Sequence, residues 1–263
     1  MRILTTDLDR TLIFSKRTVN RPLSELICVE YVDGEALSFI SHETEQALRQ
    51  LSGDAFVIPV TTRAGHQYER IELFQRVYKP PYAIVANGGI VLKDGKRDTQ
   101  WDAIMQQLLA ESMPFHEMAH IFATDWQHPM FQQIADADQL FYVLMLEKEK
   151  IDWDCLNDLR DRMERVGWSS YINGRKLYVL PKCLTKERAV QYVLEQMPYT
   201  IHYAAGDSIM DLGMLELTDL AFTPAHGELF KEKGYDVAAT VIEDPGVCFT
   251  EQLLLKFNEK VNV

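Results

Sequence analysis

The chain alternates between short runs that are apolar almost throughout and longer stretches whose apolar residues recur every three or four positions. Ile3 to Thr6, Phe56 to Val60, Tyr82 to Ala86 and Ile201 to Ala205 are runs of the first kind. They lack the in-and-out alternation of a strand with one wet face, so they predict strands buried on both sides. The second kind is clearest after Thr185, where Ala189, Val190, Val193, Leu194 and Met197 fall on one helical stripe. Thr44 to Leu51 behind a Ser41 N-cap, Gly65 to Phe74, and Thr250 to Phe257 read the same way. Strands alternating with helices predict an α/β fold, a doubly wound parallel sheet (Rossmann-like) with helices on both faces.

Two departures from that rhythm stand out. Leu26 to Val32 and Glu35 to Ile40 flank Asp33-Gly34, a hairpin signal that predicts a small flap after the first strand. From Gly88 to Pro181 the alternation changes altogether. A hairpin around Lys93-Asp94-Gly95-Lys96 leads into a helix from Trp101, an aromatic-rich stretch, a strand at Leu140 to Leu146, a helix at Asp152 to Val166 and strands around Asn173-Gly174. This predicts an inserted α+β domain at 88–181, splitting a core of 1–87 and 182–263.

Of the 263 residues, 47% are hydrophobic, enough for one medium core and a smaller one. Basic residues number 27 and acidic ones 39, a net charge of −12, and no Lys/Arg-rich block interrupts the chain. Such a surface disfavours nucleic acid and anionic membranes as partners, so an anionic ligand must be drawn by a local site. The four cysteines are scattered without a CxxC pair, the usage of free thiols in a reducing compartment. No run approaches the ~18 apolar residues of a membrane span, and the first residues are too short an apolar stretch for a signal peptide. A cytoplasmic protein is the expectation.

The chemistry concentrates at predicted strand ends. Asp7 and Asp9 follow the first strand, and Asp207 and Asp211 follow the strand that ends at Ala205. In open parallel sheets ligands bind beyond the carboxyl ends of the strands, so these carboxylates are expected to share one crevice. At ~4 Å and an effective dielectric of about 20, each like-charged pair costs roughly 4 kcal/mol, which calls for a cation.

The ordered set Asp7-x-Asp9-x-Thr11, a strand ending in Thr61, Lys186 within Pro181-Lys182-Cys183-Leu184-Thr185-Lys186, and Gly206-Asp207-x-x-x-Asp211 resembles the haloacid dehalogenase superfamily. The similarity is to the branch with a large α/β cap between the second and third motifs, Cof-like or sucrose-phosphatase-like, and Asn87-Gly88 also resembles that branch. Lys182 is the second choice for the lysine. The resemblance implies a phosphatase of a small phosphorylated metabolite, with a sugar or polyol phosphate favoured. Asp7 would be nucleophile and Asp9 acid and base, with Thr61 and Lys186 on the phosphoryl oxygens. Mg²⁺ would be held by Asp7, Asp9 and Asp207, with Ser208 and Asp211 orienting that shell. Arg10, Thr62, Arg63, Asn87 and Gly88 complete the expected substrate-binding set. Family members usually have Gly where this chain has Arg10, which either adopts the loop geometry without glycine's freedom or supplies a cation to the substrate.

A phosphomutase or phosphotransferase of the same superfamily is the alternative. A second motif competes: His116-Glu117-Met118-Ala119-His120 matches the zinc-protease pattern, with Glu147 and Glu149 as possible third ligands. Trp126, His128, Phe131 and Tyr142 are candidates for a substrate pocket in the insertion, against the plainer reading that such aromatics form its core.

Overall fold

The computed structural model describes residues 1–259. In chain order the strands and helices are β1 (Arg2–Thr6), β2 (Phe14–Ser15), β3 (Leu26–Val32), β4 (Glu35–Ser41), α1 (His42–Arg49), β5 (Ala55–Pro59), α2 (Gly65–Glu69), β6 (Tyr82–Val85), β7 (Ile90–Lys93), β8 (Lys96–Arg97), α3 (Thr99–Leu109), α4 (Phe115–Ile121), β9 (Phe131–Ala137), β10 (Phe141–Leu146), α5 (Trp153–Arg165), β11 (Trp168–Asn173), β12 (Lys176–Pro181), α6 (Lys186–Gln196), β13 (Ile201–Ala205), α7 (Leu212–Glu216), β14 (Leu220–Pro224), α8 (Glu228–Lys233), β15 (Thr240–Ile242) and α9 (Val247–Asn258). The described residues form two compact units, one of residues 1–98 with 186–259 and the other of 99–185.

The larger unit is built on a parallel sheet of order β15-β14-β13-β1-β5. β1 is central because it is buried at four of its five positions, covered on both faces and paired along both edges. Its register aligns Thr6 with Ala205 on one side and with Pro59 on the other. The residues that follow these three strands therefore leave the sheet at one edge, and this level alignment positions the site. Val60 pairs with Ile84 in an isolated parallel bridge, which ties β6 to the core sheet.

Two small antiparallel sheets complete this unit. β2-β4-β3 is the flap, whose turn holds Asp33 at φ 51° and Gly34 at φ 81°, the left-handed pair that such a tight hairpin requires. β6-β7-β8 turns on Asp94 and Gly95 in the same way. Because β7 pairs with β6 over its whole length, the expected boundary at 87/88 falls inside this sheet, and the second unit starts at Thr99.

The expected helix at 65–74 is broken. Its buried residues are Tyr68, Ile71, Leu73 and Phe74, and at about 100° per residue a regular helix would turn Leu73 some 140° away from Tyr68. The helix stops at Glu69, and a wider helical turn at Leu73–Val77 brings Leu73 inward.

The second unit is an antiparallel sheet of order β11-β12-β10-β9 with α3, α4 and α5. Its core includes Met105, Met118, Phe122, Phe141, Leu144, Leu159, Met163 and Trp168. Asp152 caps α5 by accepting from the Cys155 amide at 3.0 Å. β9 is an edge strand exposed at five of its seven positions, so it shows no apolar alternation and reads in sequence only as an aromatic-rich stretch. Among the described residues no helix is long and apolar enough to cross a membrane.

Candidate active site

The edge at which β1, β5 and β13 end gathers Asp7, Thr61, Asp207 and, from the first residue of α6, Lys186. Asp7 continues the ladder by donating its amide to Ala205 O at 2.9 Å. Lys186 is 1% exposed and lies between two carboxylates, its Nζ 2.6 Å from Asp7 Oδ1 and 2.5 Å from Asp211 Oδ1. A lysine at the first turn of a helix opposes the helix dipole, and a buried one pays a large desolvation cost, so the two carboxylates are what make this placement tenable.

Asp211 is committed to structure at its other oxygen. Oδ2 accepts from the Asp207 and Ser208 amides at 3.0 and 2.9 Å and from Ser208 Oγ at 3.1 Å. Glycine at 206 is what allows this fold-back, since a Cβ there would stand 2.4 Å from the Asp211 Cβ. Gly227 is required on the other side: its Cβ would meet Asp207 O at 2.7 Å. Asp207 itself is 3% exposed, and its Oδ2 is buried without a hydrogen-bond donor, facing Arg10 Nη1 at 3.5 Å.

These contacts set the electrostatics. Burial pushes the Asp7 carboxyl up to about 7, with the Lys186 ammonium opposing the rise and the Asp211 and Asp9 charges adding to it. Asp207 is raised well above the carboxylate range by burial and by Asp7 and Asp211. For Lys186 burial works against the charge, but Asp211 and Asp7 outweigh it and hold the ammonium above the ordinary lysine value.

Asp9 belongs to a different cluster. Arg63 grips it with two hydrogen bonds, Nε to Oδ2 at 2.7 Å and Nη2 to Oδ1 at 2.8 Å. Arg63 Nη1 reaches Glu30 Oε2 at 2.8 Å, and Arg70 reaches the other Glu30 oxygen at 3.2 Å. Glu30, on the flap strand β3, is fully buried and also accepts from Ser38 Oγ at 2.6 Å. Arg63, expected at the substrate, is thus spent on orienting Asp9 and satisfying Glu30. Asp9 and Glu30 hold its guanidinium above the usual value despite burial.

Thr61 is buried, and its Oγ accepts from the Arg63 amide at 3.1 Å, which leaves its hydroxyl hydrogen to donate. Thr62 is half-buried beside it. The Asn87 amide donates to Thr61 O at 2.9 Å. Ala86, Asn87 and Gly88 all take left-handed backbone, at φ 51°, 54° and 93°. Such a run in non-glycine residues is strained and marks a turn whose shape the surroundings impose.

Of the two lysines considered, the structure brings Lys186 to Asp7. Lys182 lies in the other unit, paired with Glu164 Oε2 at 2.9 Å. His116, Glu117 and His120 are exposed on α4. Among the described residues, the group of three side chains fit to hold a metal is Asp7, Asp207 and Asp211, with one ligand atom from each lying within 4.8 Å of the others. The zinc-protease pattern therefore has no third ligand, from Glu147, Glu149 or elsewhere among those residues. Phe115 and Trp168 stack on Tyr142 and Trp126 meets it at a tilt, with the Tyr142 hydroxyl donating to Phe115 O at 2.9 Å, as core aromatics do.

The oxygen-only donor set of Asp7 and Asp207, with a buried Asp207 oxygen that no donor reaches, suits a hard divalent cation such as Mg²⁺. Two residues of this neighbourhood carry no sequence signal. Glu30 sits in a strand like any outward polar residue, and His226 lies in the connection after β14.

Comparison with known proteins gives a family and a fold. The family model for sucrose-6F-phosphate phosphohydrolase matches residues 1–222. Among solved structures, protein 0175 of Thermoplasma acidophilum shares 15% identity at a TM-score of 0.67, with 98% of each chain covered. The sucrose-phosphatase of Synechocystis sp., solved with sucrose and phosphate, shares 15% identity at a TM-score of 0.64 over 98% of this chain and 99% of that one. A trehalose-6-phosphate phosphatase related protein shares 17% at 0.60, covering 97% and 96%. No curated protein matches the chain. The chain belongs to the sucrose-6F-phosphate phosphohydrolase family of the haloacid dehalogenase superfamily and is a phosphatase.

Proposed function

Taking that family as the premise, we propose that the protein hydrolyses the phosphate monoester of a small sugar or polyol in a Mg²⁺-dependent reaction through a phosphoaspartate on Asp7. The observation that carries this reading is the buried cluster at the sheet edge, where Lys186 Nζ lies 2.6 Å from a carboxylate that burial has pushed up to about 7.

Asp7 Oδ attacks the phosphorus, and the ester P–O bond breaks. The departing sugar oxygen takes a proton from Asp9. Water then attacks the phosphorus of the acyl phosphate while Asp9 takes a proton from it, the bond to Asp7 breaks, and orthophosphate leaves. The bidentate grip of Arg63 favours ionised Asp9, so the geometry supports the base step directly. Acting as acid requires Asp9 to turn a protonated oxygen away from Arg63. Lys186 and the Thr61 hydroxyl stabilise charge on the phosphoryl oxygens. Asp7, Asp207 and the Asp9 carbonyl would hold Mg²⁺, which when bound neutralises carboxylate and phosphate charge together.

The sucrose and phosphate of the Synechocystis structure put disaccharide phosphates at the head of the substrate panel. Phosphate release should be measured across phosphorylated sugars and polyols with Mg²⁺ and with EDTA. The expected result is release that needs Mg²⁺ and falls on the order of 10⁴-fold or more in Asp7→Asn. No release from any ester, or release that Asp7→Asn leaves intact, rejects the reading.

A further inference from the structure

Arg10 stands where a bend turns the chain away from β1. Its backbone is at φ 67°, a left-handed conformation that a side chain disfavours. A reciprocal pair of hydrogen bonds holds it there against the connection after β14. Arg10 Nη2 donates to His226 O at 2.5 Å, and His226 Nε2 lies 2.8 Å from Arg10 O. A carbonyl can only accept, so the proton of this imidazole is on Nε2. The ring is wedged edge-on against Phe14 and Phe249, with centroids 5.9 and 6.1 Å away. The guanidinium is therefore fixed from both ends, and its Nη1 is delivered to within 3.5 Å of Asp207 Oδ2.

That oxygen is a buried carboxylate atom without a hydrogen-bond donor. We propose that Arg10 is a positioning residue, a built-in counter-cation of Asp207 that holds this carboxylate in place before metal arrives and competes with the divalent ion for it. The inference rests on the metal reading proposed above. A fixed guanidinium of this kind makes Mg²⁺ binding weaker than the carboxylates alone would allow. One positive charge about 5 Å from a divalent ion lowers its affinity on the order of tenfold even at the dielectric of water. Because one Nη is engaged by a main-chain carbonyl and the other faces Asp207, the side chain is directed at the metal ligand rather than at a substrate group.

The test is Mg²⁺ binding to the full chain, by calorimetric titration and by the Mg²⁺-induced rise in melting temperature, in wild type, Arg10→Gln, Arg10→Gly, Arg10→Lys and Asp207→Asn. The expected result is about tenfold tighter Mg²⁺ and a larger thermal shift in Arg10→Gln and Arg10→Gly, with Arg10→Lys near wild type. Glycine suits the left-handed bend, and should Arg10→Gly nonetheless fail to fold, the glutamine variant decides. Wild-type or weaker affinity in the neutral variants overturns the inference while the metal reading stands, provided Asp207→Asn still abolishes binding. If wild type itself binds no Mg²⁺, both fall together.

Discussion

Asp7 and Asp9 are separated by a single residue, yet the side chain of one is 9% exposed and that of the other 54%. Asp7 is the last step of a buried ladder and faces a lysine that is itself enclosed. Asp9 lies beyond the strand, on an arginine that also serves the flap. The contrast shows how one short motif supplies two carboxylates of opposite character. Burial pushes Asp7 up to about 7 against the opposing pull of the shared ammonium, whereas Asp9 is held at both oxygens by a planar bidentate partner. In the proposed mechanism, the group that would bond to phosphorus and the group that would exchange protons are thereby kept apart chemically while staying neighbours in sequence.

The comparison can be broken in three ways, in decreasing order of expected effect. Asp9→Asn should keep the fold and reduce phosphate release by about 10²–10⁴-fold, the range for a lost proton-transfer group. An Asp9→Asn enzyme with wild-type turnover would remove the division of labour. Lys186→Met should leave Asp7 and Asp211 buried without their shared cation and destabilise the protein by about 3–5 kcal/mol, a fall in melting temperature on the order of 10 °C. Calorimetry of that variant at neutral pH showing no fall would mean that the lysine is not what holds the cluster.

The smallest effect concerns pH in the absence of metal. The folded value of Asp7, about 7, stands above the ordinary 3.8. Its contribution to stability is thus fully present below about pH 4 and is lost as pH rises through 7. Asp7→Asn does not titrate, so its stability relative to wild type should grow over that interval, by several degrees in melting temperature measured in EDTA, and added Mg²⁺ should shrink the gap. A difference that stays flat with pH would show that Asp7 is not perturbed by its surroundings.

The first strand, the two Asp-Gly hairpins and the carboxylate motifs were legible in the sequence because each is carried by neighbours along the chain: apolar runs, left-handed turn residues, fixed spacing. The Asp9–Arg63–Glu30–Arg70 cluster was not, since it joins positions 9, 30, 63 and 70 through tertiary packing and none of them sits in a pattern that marks it. Arg10 was visible as an odd residue in its motif, and a cation for substrate was one reading of it. Its partners, His226 and Asp207, lie some two hundred positions away, so the direction of its guanidinium could come only from the fold. The break after Glu69 was hidden for another reason: the helical period fits up to Ile71 and fails at Leu73, and only burial shows which residue prevails.

The central place of β1 also has a consequence for how the protein is made. It pairs with β5, some fifty residues on, and with β13, which begins at Ile201. At a synthesis rate of about 5–20 residues per second, β13 leaves the ribosome roughly 10–40 s after β1. For that interval one edge of the central strand is open to other partners, although the residues of the second unit, 99–185, emerge complete within it. Asp7 is synthesised before the second unit, and Lys186 and Asp207 only after it, so the buried cluster closes late in translation.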